Sequence, residues 1–225
     1  MEVLSQSLQP YKQVIGSVAM YVTIAQFLTG GAICWEIYNK KSSKGYSATP
    51  FIGGIAIGIL MVKYGYLLSD QITINVNVVA ILFNSIWAAI YYQYSENKWE
   101  EFGKPTSYAV ALVAVFLGYA AVEDPKHLEF RYSFLTTILM LLLLGAPLTG
   151  LKEIIEKKDA STIPLPMTFM AALVTFLWLL YGIILNNTFM VVQNVIAFGI
   201  CVTQLVLIAL YPKRINASAH SQHDN

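Results

Sequence analysis

The residues from 160 to 212 decide the class of fold. They read ASTIPLPMTFMAALVTFLWLLYGIILNNTFMVVQNVIAFGICVTQLVLIALYP, and none of these 53 residues is Asp, Glu, Lys or Arg. A helix needs about 20 apolar residues to cross the hydrocarbon of a bilayer, so the stretch is long enough to cross twice. Its most polar point is Asn186-Asn187-Thr188. The sequence therefore predicts two membrane-spanning helices joined by a tight turn.

Five shorter charge-free stretches of 18 to 25 residues precede this one, and each is long enough for one helix. The 225-residue chain is 56% hydrophobic and 12% charged, and this share of charge is about half that of a soluble domain. The apolar runs are continuous rather than alternating, which disfavours a β-barrel. We predict an all-α membrane protein with seven transmembrane helices, at about 14–36, 50–69, 72–94, 106–122, 132–151, 164–185 and 189–211.

The basic residues are distributed unevenly between the two sides of such a bundle. The loops after the first, third and fifth helices, together with the C-terminus, hold ten Lys and Arg residues, whereas the other side holds three. We call the first side the basic face and the other the opposite face. Basic loops stay in the cytoplasm, so we expect the N-terminus outside the cell or in a lumen and the C-terminus inside.

Sliding the chain along itself by 117 positions reveals an internal repeat. The aligned pairs are Glu36-Ile37 with Glu153-Ile154, Lys40-Lys41 with Lys157-Lys158, Tyr64-Gly65 with Tyr181-Gly182, and Asn77 with Asn194. One helix is left over between the repeats, and its crossing gives both repeats the same orientation. We predict a 3+1+3 arrangement with a substrate site between the repeats near the midplane. The expected units are a first three-helix repeat (13–95), a linker helix with its loops (96–128), a second three-helix repeat (129–212) and a disordered cytoplasmic tail (213–225).

Asn77 and Asn194 are the principal candidates for binding a substrate. An amide in hydrocarbon costs a few kcal/mol unless it is paired. Each carboxamide offers one acceptor and two N–H donors, which suits a ligand rich in hydroxyl groups. The alternative is that each Asn bonds neighbouring helices together, as is common in membranes. The matched positions of the two residues favour substrate binding.

Aromatic and polar residues near this pair are further candidates. Trp178 could stack on the C–H face of a sugar ring, although anchoring at the membrane interface is an alternative. Its repeat mate Met61 would form the other wall, and Gln26 would add a polar group to the lining. Tyr-Gly at 64–65 and at 181–182 could form a gate, because Gly allows close backbone approach; an aromatic belt with a packing Gly is the alternative.

Three prolines near the basic face could let helices bend during transport. Proline removes a helix hydrogen bond. Pro50 and Pro166 could also simply begin helices, where proline is tolerated, whereas Pro147 lies inside a predicted helix and should kink it.

The residues that are absent exclude other classes of protein. No Asp, Glu or His lies well inside a predicted span, so we expect no proton relay and infer passive transport. The sequence shows no nucleophile–base set, phosphate-binding loop or metal-ligand spacing. We therefore expect neither an enzyme nor a bound cofactor or metal. A net charge of +1 provides no basic excess for nucleic acid.

Several short motifs, in order and spacing, resemble the SWEET (saliva-type) family of eukaryotic sugar transporters. They are KKSSKGYSATPF at 40–51, Tyr-Gly at 64–65, Asn77, KKDASTIPLP at 157–166, WLLYG at 178–182 and Gln-Asn at 193–194. The resemblance implies facilitated, bidirectional diffusion of sugars across the plasma membrane, an endomembrane such as the Golgi, or both. It also implies that Asn77 and Asn194 bind the sugar, that Met61 and Trp178 wall the pocket, that the Tyr-Gly pairs form an outer gate, and that prolines lie toward an inner gate.

Some positions depart from the family pattern. Gly30 stands where a fourth gate proline would fall, and Ile57 and Val174 are apolar where some members have small polar residues. With these departures, the resemblance predicts a uniporter for monosaccharides such as glucose, working by alternating access.

The alternative functions are a seven-helix receptor and a non-transport scaffold. The internal repeat, the short loops and the Glu96-Asn97-Lys98 sequence, where a receptor would carry Asp-Arg-Tyr, disfavour a receptor. The expected partners are a sugar and the lipid bilayer, and assembly into a homo-oligomer is left open.

Overall fold

The computed structural model describes residues 1–161 and 163–211, with backbone only at 146–150 and 153. The predicted tail 213–225 lies outside the described residues. Every regular element within them is a helix. The α-helices are α1 (Glu2–Leu8), α2 (Lys12–Phe27), α3 (Gly30–Lys40), α4 (Thr49–Leu67), α5 (Gln71–Tyr94), α6 (Lys104–Val122), α7 (Pro125–Leu143), α8 (Gly145–Lys157), α9 (Leu165–Ile184) and α10 (Thr188–Leu210).

Six helical segments of the described chain are long and apolar enough to cross a membrane. They are Glu2–Lys40, Thr49–Leu67, Gln71–Tyr94, Trp99–Val122, Leu165–Ile184 and Thr188–Leu210. The remaining predicted span, 132–151, is divided between α7 and α8. α7 begins with charged turns that contain Lys126, Glu129 and Arg131, and its apolar part starts only after them.

Backbone landmarks recur at the spacing of the internal repeat. In the described chain, the non-glycine residues with positive φ form two pairs 117 positions apart, Lys41 with Lys158 and Ser69 with Asn186. In the first repeat, Lys41 and Ser69 follow the ends of α3 and α4. In the second repeat, Lys158 and Asn186 follow the ends of the matching helices, α8 and α9. The sequence repeat is therefore also a repeat of turn geometry.

The first helix of each repeat is interrupted. The predicted span 14–36 is wrong as a continuous helix, because α2 ends at Phe27 and α3 begins at Gly30. At the break, the N–H groups of Leu28 and Thr29 donate to carbonyls three residues earlier, at 3.2 and 3.1 Å. Such a tightened turn within a helix is typical of a hinge. In the second repeat, the interruption falls at Leu144.

Sequence chemistry explains both interruptions. Gly30-Gly31 weakens the helix and lets the indole of Trp87 approach, since a Cβ at Gly30 would lie 3.0 Å from that ring. In the second repeat, Pro147 stands four residues after Leu143 and has no N–H to donate to its carbonyl. Accordingly, α7 ends at Leu143.

The buried core shows at which end the two repeats are joined. Toward the opposite face, one cluster includes side chains from both repeats, among them Tyr64, Tyr132 and Tyr181. Toward the basic face, the described buried residues form two separate clusters, one around Ile37 in the first repeat and one around Ile154 in the second. The repeats are therefore packed together at the opposite face and separate at the basic face.

Candidate functional site

A cavity of about 200 Å³ lies between the two repeats. It is enclosed by α2, α4 and α5 from the first repeat and by α7, α9 and α10 from the second. Its lining residues are Thr23, Phe27, Ile57, Met61, Thr73, Val76, Asn77, Met140, Trp178, Met190, Gln193 and Asn194.

The lining follows the internal repeat. Five pairs of lining residues are separated by 117 positions, namely Thr23 with Met140, Met61 with Trp178, Thr73 with Met190, Val76 with Gln193, and Asn77 with Asn194. Residues at equivalent positions of two related bundles can line one cavity only where the bundles face each other. The cavity therefore lies at the axis that relates the repeats.

Asn77 and Asn194 both face this cavity. Each donates one Nδ2 hydrogen to a carbonyl four residues earlier in its own helix, at 2.8 Å, from Asn77 to Thr73 and from Asn194 to Met190. This bond fixes the orientation of the carboxamide. Within the described chain, each carboxamide oxygen and second N–H has no protein partner. Both groups are therefore available to a ligand.

Trp178 forms a rigid wall of the cavity. Its indole Nε1–H donates to Thr23 Oγ1 at 2.9 Å, which links α9 of the second repeat to α2 of the first. Its ring also packs edge-on against Tyr181, with 5.7 Å between the centroids. Across the cavity, Met61 occupies the repeat-matched position. A ring-shaped guest would contact an indole on one wall and a thioether on the other.

Two reciprocal hydrogen bonds close the cavity toward the opposite face. The Tyr181 hydroxyl donates to Asp70 Oδ1 at 2.6 Å, and the Tyr64 hydroxyl donates to Asn187 Oδ1 at 3.1 Å. Each bond joins one repeat to the other. Both tyrosines are almost completely buried, at 0% and 1% exposed. The two bonds and the packed rings seal this end.

The tyrosine partners are themselves held by helix ends. Asp70 caps α5 and Asn187 caps α10, because each side chain accepts a backbone N–H in the first turn, at 3.0 and 2.9 Å. Gly65 and Gly182 allow the adjoining helices to come close. A Cβ at Gly65 would lie 3.1 Å from the backbone nitrogen of Ile74. The sequence interpretation missed Asp70 and Asn187 as the partners, although they are separated by the same 117 positions.

A larger cavity adjoins the site toward the basic face. A second cavity of about 840 Å³ lies between α4, α6 and α7 at that end, and Ile57 lines both cavities. Pro50, which also lines the larger cavity, and Pro166 lie in the first turns of α4 and α9. These two prolines therefore begin helices, as the alternative interpretation of the sequence allowed. The side chain of Pro147 lies outside the described residues.

Two residues predicted to line the pocket are not part of the lining, Gln26 and Val174. On α2, Thr23 and Phe27 line the cavity, and Gln26 lies about 80° around the helix from the midpoint between them, at the edge of that face. Val174 lies one turn from Trp178 toward the basic face, beyond the lining. Contact of either residue with a substrate stays a prediction.

Other lining residues were not singled out from the sequence. Thr23, Thr73 and Gln193 supply polar groups, and Gln193 Nε2 donates to Thr137 Oγ1 at 2.6 Å. A signal was available for Thr73, because it lies four residues before Asn77 on α5. On a helix, residues three or four apart share a face.

Comparisons with known proteins agree with this architecture. A family model described as "Sugar efflux transporter for intercellular exchange" matches the chain twice, at residues 13–99 and 130–216. The chain is 29% identical over 205 residues to a sugar transporter SWEET1 of Drosophila pseudoobscura pseudoobscura, covering 90% of each protein. It is 30% identical over 207 residues to a sugar transporter SWEET1 of Caenorhabditis elegans, covering 91% of this chain and 67% of the relative.

A solved structure of a eukaryotic SWEET transporter has the same fold. It superposes with a TM-score of 0.80 at 16% sequence identity, covering 90% of this chain and 97% of that chain. This match confirms the predicted all-α membrane fold with the 3+1+3 arrangement. The two family matches begin 117 positions apart, at the spacing of the internal repeat. The chain belongs to the family of sugar efflux transporters for intercellular exchange, the SWEET transporters.

Proposed function

We propose that this chain is a facilitative, bidirectional uniporter of monosaccharides such as glucose, which bind in the cavity between Asn77 and Asn194. The observation that supports this most strongly is the pairing of two carboxamides from equivalent positions in one cavity between the repeats. Each retains a free acceptor and a free donor, and a sugar hydroxyl both donates and accepts. The indole of Trp178 offers a face to the sugar ring.

Alternating access explains how such a cavity could move its guest. In the present arrangement, the repeats are packed together toward the opposite face, and a larger cavity adjoins the site toward the basic face. Opening the other way would break the Tyr181–Asp70 and Tyr64–Asn187 hydrogen bonds and bring the basic ends of the repeats together. The interruptions at Leu28 and Leu144 are the points where the first helices of the repeats could bend.

Uncoupled transport fits the chemistry of the lining. The residues that line the cavity include no Asp, Glu, Lys, Arg or His, so sugar binding does not require a proton. Without a coupled ion, net flux follows the sugar gradient in either direction. We place the basic face in the cytoplasm and the N-terminus outside or in a lumen, in the plasma membrane, the Golgi membrane or both.

The test is uptake of labelled glucose into proteoliposomes. Asn77→Ala and Asn194→Ala should each lower uptake about tenfold or more, because each removes a hydrogen-bonding group that has no protein substitute. The matched control is Asn84→Ala. Asn84 lies in α5 and donates to its own helix at 2.8 Å, as Asn77 does, but it packs against Gly54 rather than the cavity. This variant should retain most of the uptake.

Three results would contradict the proposal. An equal loss in all three variants would show that the amides act through helix structure. Dependence on a proton gradient would refute uniport. Competition by disaccharides but not by monosaccharides would refute the proposed substrate class.

A further inference from the structure

Two buried side-chain polar atoms in the described chain have no hydrogen-bond partner, Thr73 Oγ1 and Trp87 Nε1. Trp87 lies against Gly30 and Gly31, away from the cavity between the repeats. Thr73 is 1% exposed and lines that cavity. A buried hydroxyl without a partner is unfavourable, so an unpaired one beside a binding cavity points to a ligand.

The position of Thr73 explains why the hydroxyl is unpaired. Threonines in helices usually donate to the carbonyl four residues earlier, and Thr23 and Thr137 do so at 2.7 Å. For Thr73 that residue is Ser69, which has a positive φ and lies outside α5. Asp70 pairs with the backbone N–H of Thr73 rather than with its hydroxyl. The hydroxyl therefore keeps both a donor and acceptor lone pairs.

We propose that Thr73 Oγ1 binds a hydroxyl group of the transported sugar and sets its orientation in the cavity, an inference that rests on the proposed function. Thr73 and Asn77 are one turn apart on α5, so their side chains share a face. Together they present a hydroxyl and a carboxamide to two hydroxyls on one edge of a sugar ring.

The second repeat offers different chemistry at the matched positions. Met190 stands where the first repeat has Thr73, so α10 presents a thioether at that position, and its polar lining groups are the carboxamides of Gln193 and Asn194. A sugar hydroxyl faces Thr73, and the C–H surface of the ring faces Met190 and Trp178. The cavity is thus two-fold symmetric in its backbone but not in its chemistry, and one orientation of the sugar is preferred.

The test compares Thr73→Val, which keeps the side-chain shape, with Thr73→Ser, which keeps the hydroxyl. Thr175→Val is the matched control, since Thr175 donates to its own helix at 2.8 Å and is not part of the cavity lining. We expect Thr73→Val to raise the KM for glucose by about two- to tenfold. Thr73→Ser and Thr175→Val should remain close to the parent protein.

A series of monodeoxyglucoses distinguishes a direct contact from a structural effect. One deoxy sugar of the series lacks the hydroxyl group that Thr73 binds. This sugar should inhibit glucose uptake equally well in the parent and in Thr73→Val, because its hydrogen bond to Thr73 is absent in both proteins. Thr73→Val should not lower the melting temperature of the sugar-free protein, since it removes an unpaired hydroxyl.

The outcomes separate the two proposals. An unchanged KM in Thr73→Val, or the same loss for every deoxy sugar, would overturn the role of Thr73 while leaving sugar transport intact. A lowered melting temperature of both Thr73 variants without sugar would show a structural role instead. If the parent protein itself takes up no monosaccharide, the proposed function fails first.

Discussion

The first and second repeats place different acceptors at one structural position. In the first repeat, Asp70 caps α5 and accepts the hydroxyl of Tyr181; in the second, Asn187 caps α10 and accepts the hydroxyl of Tyr64. The bond to the carboxylate is 2.6 Å long and the bond to the amide is 3.1 Å long. Hydrogen bonds to ionised groups are shorter and stronger than neutral ones. The two contacts that close the opposite face are therefore equivalent in geometry and unequal in strength.

A second difference lies beside the same tyrosines. Gly16 on α2 approaches Tyr181, whereas the repeat-matched residue on α7 is Ser133, which is 1% exposed. The missing side chain lets α2 pack closely against α9. The corresponding contact between α7 and α4 is looser, and the large cavity at the basic face adjoins it. The two repeats share one backbone arrangement, but α2 packs closely against α9 whereas α7 packs loosely against α4.

The largest expected effect comes from removing one tyrosine hydroxyl at a time. Tyr181→Phe should lower the free energy of unfolding by about 1.5–3 kcal/mol, because a buried carboxylate loses a donor, and Tyr64→Phe by about 0.5–1.5 kcal/mol. Thermal unfolding in detergent measures the difference. Tyr66→Phe is the control, because Tyr66 is on the same helix as Tyr64 and is 70% exposed.

The same variants should change access to the site. With a contact at the opposite face weakened, a cysteine introduced into the cavity should react faster with a membrane-impermeant thiol reagent added on that side. Equal losses of stability in Tyr181→Phe and Tyr64→Phe, or a larger loss in Tyr64→Phe, would contradict the inequality of the two contacts.

Exchanging the residues beside the tyrosines should have a smaller effect. A Cβ at position 16 would lie 2.7 Å from Cε2 of Tyr181 and 2.4 Å from Cδ1 of Ile72. The isoleucine methyl can move aside, but the tyrosine ring is held by Asp70. Gly16→Ser should therefore destabilise the protein by about 1–2 kcal/mol.

The control for this exchange is Gly118→Ser on α6, where a Cβ meets no described atom within 4 Å. The reverse change, Ser133→Gly, creates no overlap and should cost less than Gly16→Ser. Thermal unfolding of the three variants makes the comparison. A Gly16→Ser protein as stable as Gly118→Ser would show that α2 can move away from Tyr181 without loss.

The sequence predicts the architecture well because lipid imposes strict rules. A span needs about 20 apolar residues, so charge-free stretches locate helices reliably. The repeat then indicates which of the few polar residues face the same cavity, and it correctly brings Asn77 and Asn194 together. Their role in binding stays a prediction.

Features that depend on contacts between helices were not predictable in the same way. The break between α2 and α3 depends on Trp87 packing against Gly30, and hydropathy does not report such a contact. Helix α1 was also not predicted, because its seven residues are too few and too polar to be detected as a membrane span. In the fold, Ser5 Oγ and Gln9 Nε2 donate to the carbonyl of Ile184 at 2.8 and 2.7 Å, which caps the end of α9.

The smallest expected effect concerns the linker helix α6, whose two ends are attached to different repeats. Before its first residue, Glu101 accepts the hydroxyl of Ser95 at 2.5 Å, within the first repeat. After its last residue, Glu123 accepts hydrogen bonds from Arg131 of α7, at 2.9 and 3.0 Å, and from Tyr119. Glu101 thus anchors the linker to the first repeat, and Glu123 anchors it to the second.

The contact at Glu123 should respond to pH. Hydrogen bonds from Tyr119 and Arg131 lower the pKa of Glu123 from 4.5 to about 2. A carboxyl whose pKa is lowered by folding stabilises the protein above its unfolded pKa, and this contribution is lost as the pH falls toward the folded pKa. The melting temperature of the parent should therefore slightly exceed that of Glu123→Gln at pH 7, and the two should converge between pH 4.5 and about 2. A constant difference down to pH 2 would show that the charge of Glu123 is irrelevant. The Arg131 side chain is 53% exposed and the Glu123 side chain 10%, so solvent screens this ion pair in part and its contribution to holding the linker on the second repeat is modest.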